Sequence, residues 1–290
     1  MFEGFEHRTI ETDGAAIDLV VGGDGPPVLL LHGYPQTRAM WHAIAPTLAE
    51  RYRLVVPDLR GYGDSTKPPG GPDHAGYSKR TMAADQVAVM AALGAERFAV
   101  VGHDRGGRVG HRMALDNRDR VERLAVLDIV PTLTVFSRLS QGVATGYYHW
   151  FFLIQDEPLP ERLIGNDPGF YLRWCLARLG GGLEMFHADA LAEYERCFTA
   201  ETIHASCEDY RAAASIDLEH DRADLDRPLA CPVLALWGAQ GRVHQWYDVL
   251  ACWRERAEQV TGSPVDAGHF LVEERVSEVG DALLDFLGTG

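Results

Sequence analysis
The chain has 290 residues, with 27 Lys plus Arg against 42 Asp plus Glu, a formal net charge of -15 and 46 % hydrophobic residues. That length suits one large domain or a core carrying a sizeable insertion, and the acidic balance excludes the basic footprint of a nucleic-acid binder. No apolar run approaches the roughly 20 residues of a membrane span, and the charged start MFEGFEHRTI lacks the apolar stretch of a signal peptide.

Taken in chain order, residues 7–12 and 16–21 read as two short strands of a hairpin. PPVLLLHG at 26–33 is a β-rich apolar run ending in a turn, the pattern of a buried strand. A helix is expected from about 38 to 50, and RLVVPD at 53–58 is a second buried strand. Residues 77–94 have helical spacing, with Ser78 as N-cap and Gly94 as stop. RFAVVGHD at 97–104 is a strand with a helix directly behind it, and VERLAVLDIV at 121–130 is another strand.

The rhythm then breaks. From 131 to 228 only helical stretches appear, rich in aromatic residues. Strand and helix alternate again from CPVLALWG at 231–238, with a helix near 245–258, a strand near 260–266 and a last helix near 272–288. The fold class expected is α/β: a mostly parallel sheet with helices on both faces, residues 1–130 and 229–290, interrupted after Asp128 by a helical cap, residues 131–228. Ligands in such sheets bind at the carboxyl ends of the strands, where this insertion would roof the site. The cysteines Cys175, Cys197, Cys207, Cys231 and Cys252 form no C-x-x-C pair. An odd, unpatterned set of thiols reads as reduced, and the expected location is cytoplasmic.

Gly102-His103-Asp104-Arg105-Gly106 lies between a strand and a helix. This is the G-x-nucleophile-x-G elbow, with Asp104 where esterases carry Ser. Three further features stand where that elbow needs them. His32-Gly33-Tyr34-Pro35 follows a strand end, and its backbone supplies one N–H of an oxyanion hole, the other coming from Arg105. Gly268-His269-Phe270 places a base near the C-terminus. An orienting acid must lie between nucleophile and base. The turn Trp237-Gly238-Ala239-Gln240-Gly241 contains no carboxylate, which leaves Asp128 as the candidate.

An Asp nucleophile limits the chemistry. Attack on an acyl carbon gives an anhydride, unproductive for ester hydrolysis. Attack on an sp³ carbon bearing a leaving group gives an alkyl ester that water hydrolyses. Halide displacement and epoxide opening are the two classes left.

The segments HGYPQT with MWH at 32–42, GHDRGGR at 102–108, LAVLDIVPT at 124–132, YYHW at 147–150, CEDYRAAA at 207–214, LALWGA at 234–239 and AGHF at 267–270 resemble the fluoroacetate dehalogenases, a branch of the α/β hydrolases. They run in family order and span most of the chain; the stretch 155–200 departs from the family pattern. The resemblance implies Asp104 as nucleophile, Asp128 as orienter and His269 as base. It implies that Arg105 and Arg108 hold a substrate carboxylate, and that His149, Trp150 and Tyr210 receive the departing halide.

The function expected is therefore hydrolysis of short 2-haloacids, fluoroacetate or chloroacetate to glycolate plus halide, through an ester on Asp104. The expected partner is a small anionic organic substrate, with no nucleic acid and no membrane, and the resemblance implies a homodimer. No cofactor or metal is expected, and no spaced metal-ligand motif such as H-E-x-x-H is present. The rival activity is an epoxide hydrolase with the same three residues, in which two of Tyr147, Tyr148 and Tyr210 would protonate the alkoxide. A haloalkane dehalogenase leaves two arginines beside the nucleophile without an anion. A binding module for small organic acids would use the arginines and survive loss of Asp104.

Overall fold
The computed structural model describes residues 1–288. Eight strands form one sheet: β1 (Glu6–Thr12), β2 (Ala15–Gly22), β3 (Pro27–Leu31), β4 (Arg53–Pro57), β5 (Phe98–His103), β6 (Val121–Leu127), β7 (Val233–Gly238) and β8 (Val260–Val265). Their spatial order is β1-β2-β4-β3-β5-β6-β7-β8. The pairs β1–β2 and β2–β4 are antiparallel, and every other neighbouring pair is parallel. The five central strands β3 to β7 are almost wholly buried, because helices cover both faces, and they read accordingly as runs of Val, Leu and Ala. The edge strand β1 is largely exposed and carries Glu6, His7 and Arg8, charges and a ring that discourage pairing with another chain.

Three helices expected as continuous are divided. Over 38–50 the chain makes a 3-10 turn, Arg38–Trp41, capped by the Thr37 side chain, and then a separate helix, Ala45–Ala49, with proline in its first turn. Over 245–258 two short helices, Arg242–Trp246 and Val249–Arg254, meet at Asp248, whose carboxylate accepts the Ala251 N–H and starts the second. Near the C-terminus Leu271–Glu274 and Val276–Gly288 are separated by Arg275. There Glu274 folds back to accept the Gly268 and Phe270 N–H groups. Ser78 does cap the helix Lys79–Ala92, accepting from Thr81.

Between β6 and β7 every element is helical, from Thr132 to Ala223. This segment is fastened to the sheet's helices by buried charge. Asp209, on the helix Ala200–Ala214, is fully buried and accepts from Arg105 Nε at 2.9 Å, from Arg105 Nη2 at 2.6 Å and from the Tyr62 hydroxyl at 2.7 Å. Lys79, the first residue of its helix, donates to the same carboxylate, and its backbone N–H donates to Asp217 at 2.8 Å. Burial pushes the Asp209 carboxyl up, but Arg105 and Lys79 outweigh it and hold the group well below the usual carboxylate range. A second tie joins Arg112 to Asp221 and Asp224. No helix among the described residues is long and apolar enough to cross a membrane.

Removing Asp209 leaves two buried cations without their shared anion. Asp209→Ala is expected to lower stability by about 3–5 kcal/mol, the cost typical of breaking a buried ion pair from one side. Urea denaturation followed by circular dichroism measures it; a loss under about 1 kcal/mol would show the network to be dispensable.

Candidate active site
β5 delivers Asp104 into a backbone conformation of φ 43° and ψ -112°, and the helix Arg105–Asp116 begins at the next residue. Positive φ in a non-glycine residue is strained and clusters at functional sites. The turn holds because its neighbours are glycines. A Cβ at Gly106 would lie 2.5 Å from the His32 carbonyl oxygen, and one at Gly33 would lie 2.6 Å from the Asp104 Cβ. The 32–35 turn can therefore lie directly on the elbow, where the Tyr34 N–H donates to Asp104 Oδ1 at 3.1 Å.

Asp128 leaves the end of β6 with φ 53°, a second strained carboxylate. Its Oδ1 accepts from the Gly238 N–H at 2.9 Å, and its Oδ2 lies 2.6 Å from His269 Nδ1. The 237–241 turn thus serves the site with a backbone donor instead of a carboxylate. His269 is fixed on both sides of its peptide: its N–H donates to the Leu179 carbonyl at 3.1 Å, and its own carbonyl lies 2.8 Å from His103 Nε2. Burial pushes the His269 imidazole down, but the Asp128 hydrogen bond and the charges of Asp128 and Asp104 outweigh it and raise it above 6.5. With Nδ1 committed to Asp128, Nε2 is the nitrogen left for chemistry.

Asp104 and His269 line a small cavity of about 230 Å³ together with Tyr34, Tyr147, His149, Trp150, Leu179 and Tyr210. His149 and Trp150 come from the helix Tyr148–Leu153, and Tyr210 from the helix Ala200–Ala214. Burial takes His149 down to about 3, so it meets the cavity as a neutral ring. Burial takes the Tyr210 hydroxyl well above 10, so it stays a donor. Burial pushes the Asp104 carboxyl up as well, but His269, Arg108 and Arg105 together bring it below its usual value and keep it ionised.

Arg105 and Arg108 are buried and adjoin the cavity's aromatic residues without being among those that line it. Arg105 is already held by Asp209, with its guanidinium 4.1 Å over the Tyr210 ring. Arg108 lies 4.6 Å over the Trp150 ring, and its Nη1 donates to the Val130 carbonyl and to Thr132 Oγ1, both at 3.0 Å. Each has one buried nitrogen without a partner, Arg105 Nη1 and Arg108 Nε. Among the described residues no carboxylate forms an ion pair with Arg108.

Several side chains here go beyond the sequence reading. Tyr34 was expected only for its backbone, and Tyr147 only as a rival's donor; both adjoin motif residues, which was the available signal. Leu179, Asp209 and Lys79 were not singled out. The carboxylate trio Asp18, Asp58 and Asp64 is close enough to share a cation, but Arg38 already pairs with all three.

Residues 26–276 match the alpha/beta hydrolase fold family. The chain is 47 % identical to a fluoroacetate dehalogenase of Burkholderia sp., over 99 % of this chain and 95 % of that protein. It is 36 % identical to a soluble epoxide hydrolase of Corynebacterium sp., over 97 % and 96 % of the two chains. The crystal structure of an alpha/beta hydrolase from Nostoc sp. PCC 7120 superposes with a TM-score of 0.99 at 56 % identity, over the whole of both chains. The fold, the elbow and these similarities agree: the chain belongs to the α/β hydrolases and, within them, to the fluoroacetate dehalogenase family.

Proposed function
We propose that this hydrolase converts short 2-haloacids, fluoroacetate and chloroacetate first among them, to glycolate and halide by way of an alkyl ester on Asp104. The observation that carries the reading is an aspartate carboxylate in the elbow that shares the lining of one small cavity with His269. With Asp104 Oδ1 engaged by the Tyr34 N–H, Oδ2 is the attacking oxygen. It bonds to the carbon bearing the halogen as the carbon–halogen bond breaks, and the electron pair leaves with the halide.

His149, Trp150 and Tyr210 stand on that cavity as neutral N–H and O–H donors for the leaving ion. His269 Nε2 then takes a proton from water, and the hydroxide attacks Asp104 Cγ. The negative charge that develops on Oδ1 is met by the backbone N–H groups of Tyr34 and Arg105. Collapse releases glycolate, protonated from His269, and one proton passes to solvent as Asp104 is restored. Asp128 holds the His269 ring in register and balances its charge while it is protonated.

The substrate carboxylate falls to the two arginines. Arg108 Nε and Arg105 Nη1 are buried donors that lack an acceptor, which a bound carboxylate would supply. Because Asp209 already balances Arg105, Arg108 carries most of the attraction. The helical segment 131–228 acts as the cap over the core. The five cysteines are unpaired, in keeping with a cytoplasmic enzyme, and the family resemblance supports a homodimer.

A second reading rests on Tyr147 and Tyr210, which both line the cavity and could together protonate an epoxide oxygen. Arg108 makes no ion pair among the described residues and its buried Nε has no acceptor, which weighs against a neutral substrate. Ion-selective electrodes distinguish the two. Fluoride and chloride should appear from the corresponding haloacetates, while a small terminal epoxide yields little diol; the reverse pattern would establish the epoxide reading.

The leaving-group donors can be tested separately. Trp150→Phe keeps most of the apolar volume and deletes one N–H. Loss of one donor aimed at developing charge costs on the order of 10²–10³ in rate, and this loss should fall on fluoroacetate far more than on bromoacetate. Equal losses for both substrates, measured as kcat, would make Trp150 a packing residue.

A further inference from the structure
Leu179 is a wall between two spaces. On one side lies the catalytic cavity, and on the other a polar cleft of about 680 Å³ that also contains Arg178, Arg242, Gln240, Gln245 and Gly268. The Leu179 carbonyl accepts from the His269 N–H at 3.1 Å, so the residue that borders both spaces is tied to the base. Gly180, Gly181 and Gly182 follow it directly. The cleft also reaches the back of the catalytic residues: Gly241 lines it, and a Cβ there would sit 3.5 Å from Asp128 Oδ1.

The charge in this cleft is not balanced. Arg178 donates only to main-chain carbonyls, those of Gly146 and Thr145, and lies 4.9 Å over the Trp174 ring. Arg242 lies 5.9 Å over the Trp246 ring, and among the described residues it has no hydrogen bond or ion pair. Glu274 also lines the cleft, but its two oxygens accept the Gly268 and Phe270 N–H groups. Burial lowers the Arg242 guanidinium, and the like charge of Arg178 lowers it further. Both arginines are felt by His149 inside the catalytic cavity. Two guanidiniums against the single carboxylate of Glu274 leave the cleft net positive, which suits a small anion. In a chain of formal charge -15, such a cationic opening is also what a small anion needs in order to approach.

We propose that this cleft is an anion-binding vestibule, in which a small carboxylate docks against Arg178 and Arg242 before passing Leu179 into the catalytic cavity. The inference rests on the haloacid reading for the identity of the anion, but not for its charge.

The probe is iodide, which quenches exposed tryptophan. Trp41, Trp150, Trp237 and Trp253 are buried, so the quenchable emission comes from Trp174 and Trp246, the rings that lie under Arg178 and Arg242. At low ionic strength, quenching by iodide should be about fivefold stronger in the unsubstituted enzyme and in Arg242→Lys than in Arg242→Gln, the factor one unit charge at contact is worth in water. Quenching by neutral acrylamide should not change. The KM for chloroacetate should rise about as much in Arg242→Gln, more than kcat falls, and the difference should fade near 1 M salt, where screening acts within about 3 Å.

Equal iodide quenching in all three proteins overturns the vestibule, as does an unchanged KM in an enzyme that turns over chloroacetate, or an Arg242→Lys that behaves like Arg242→Gln. A charge-dependent quenching difference without any halide release keeps the vestibule and overturns the haloacid reading. If Arg242→Gln does not fold, salt titration of the unsubstituted enzyme decides: iodide quenching that stays above acrylamide only at low salt supports the site, and salt-independent quenching refutes it.

Discussion

Burial favours the protonated form of the Asp104 carboxyl, and a protonated carboxyl is no nucleophile. The charges of Arg108 and Arg105, and that of His269 whenever it is protonated, oppose that preference and favour the ionised form. Much of the surrounding structure maintains this one balance. The strained elbow points the carboxylate inward, the close-packed glycines let the Tyr34 N–H reach it, and Asp128 draws His269 to the cationic side of its ordinary range. Water would weaken each of these interactions, and the segment from Thr132 to Ala223 supplies Tyr147, His149, Trp150, Leu179 and Tyr210 to the lining of the cavity.

The two arginines that adjoin the cavity's aromatic residues are not equivalent. Arg105 is tied to Asp209 by a forked pair of hydrogen bonds, and Lys79 and Tyr62 complete the shell around that carboxylate. It acts as a structural cation that also lends potential to the site. Arg108 touches only neutral acceptors, so its charge is available to an arriving anion. Under the haloacid proposal this asymmetry favours an acid over an amide or an epoxide, because a carboxylate brings charged acceptors that a neutral ligand lacks.

Much of this was legible in the sequence because it is local. The apolar runs gave the order of strands, and the elbow and the 32–35 turn are short motifs. Asp128 followed by elimination from a turn that lacks a carboxylate, and the structure shows that turn donating the Gly238 N–H to Asp128. The parts that were not legible are pairings across long stretches of chain. Asp209 lies 104 residues from Arg105 and 130 from Lys79, and no spacing rule links such partners. Asp209 stood inside the quoted CEDYRAAA segment but carried no signal that it would neutralise Arg105. The division of the 245–258 helix depended on Asp248 acting as a cap, and the same residue is compatible with an exposed position inside a helix. Leu179 is an ordinary apolar residue in a stretch that departs from the family pattern; only the fold puts it against His269.

The central claim is that Asp104 itself becomes esterified, and one measurement reaches it directly. Replacing His269 with Asn should leave the attack of Asp104 intact while removing the base that clears the ester. Mixed with chloroacetate, His269→Asn should release about one equivalent of chloride and stop. Peptide mass spectrometry should then find one added carboxymethyl group on Asp104. A variant that releases chloride yet carries no adduct at Asp104 would contradict the account.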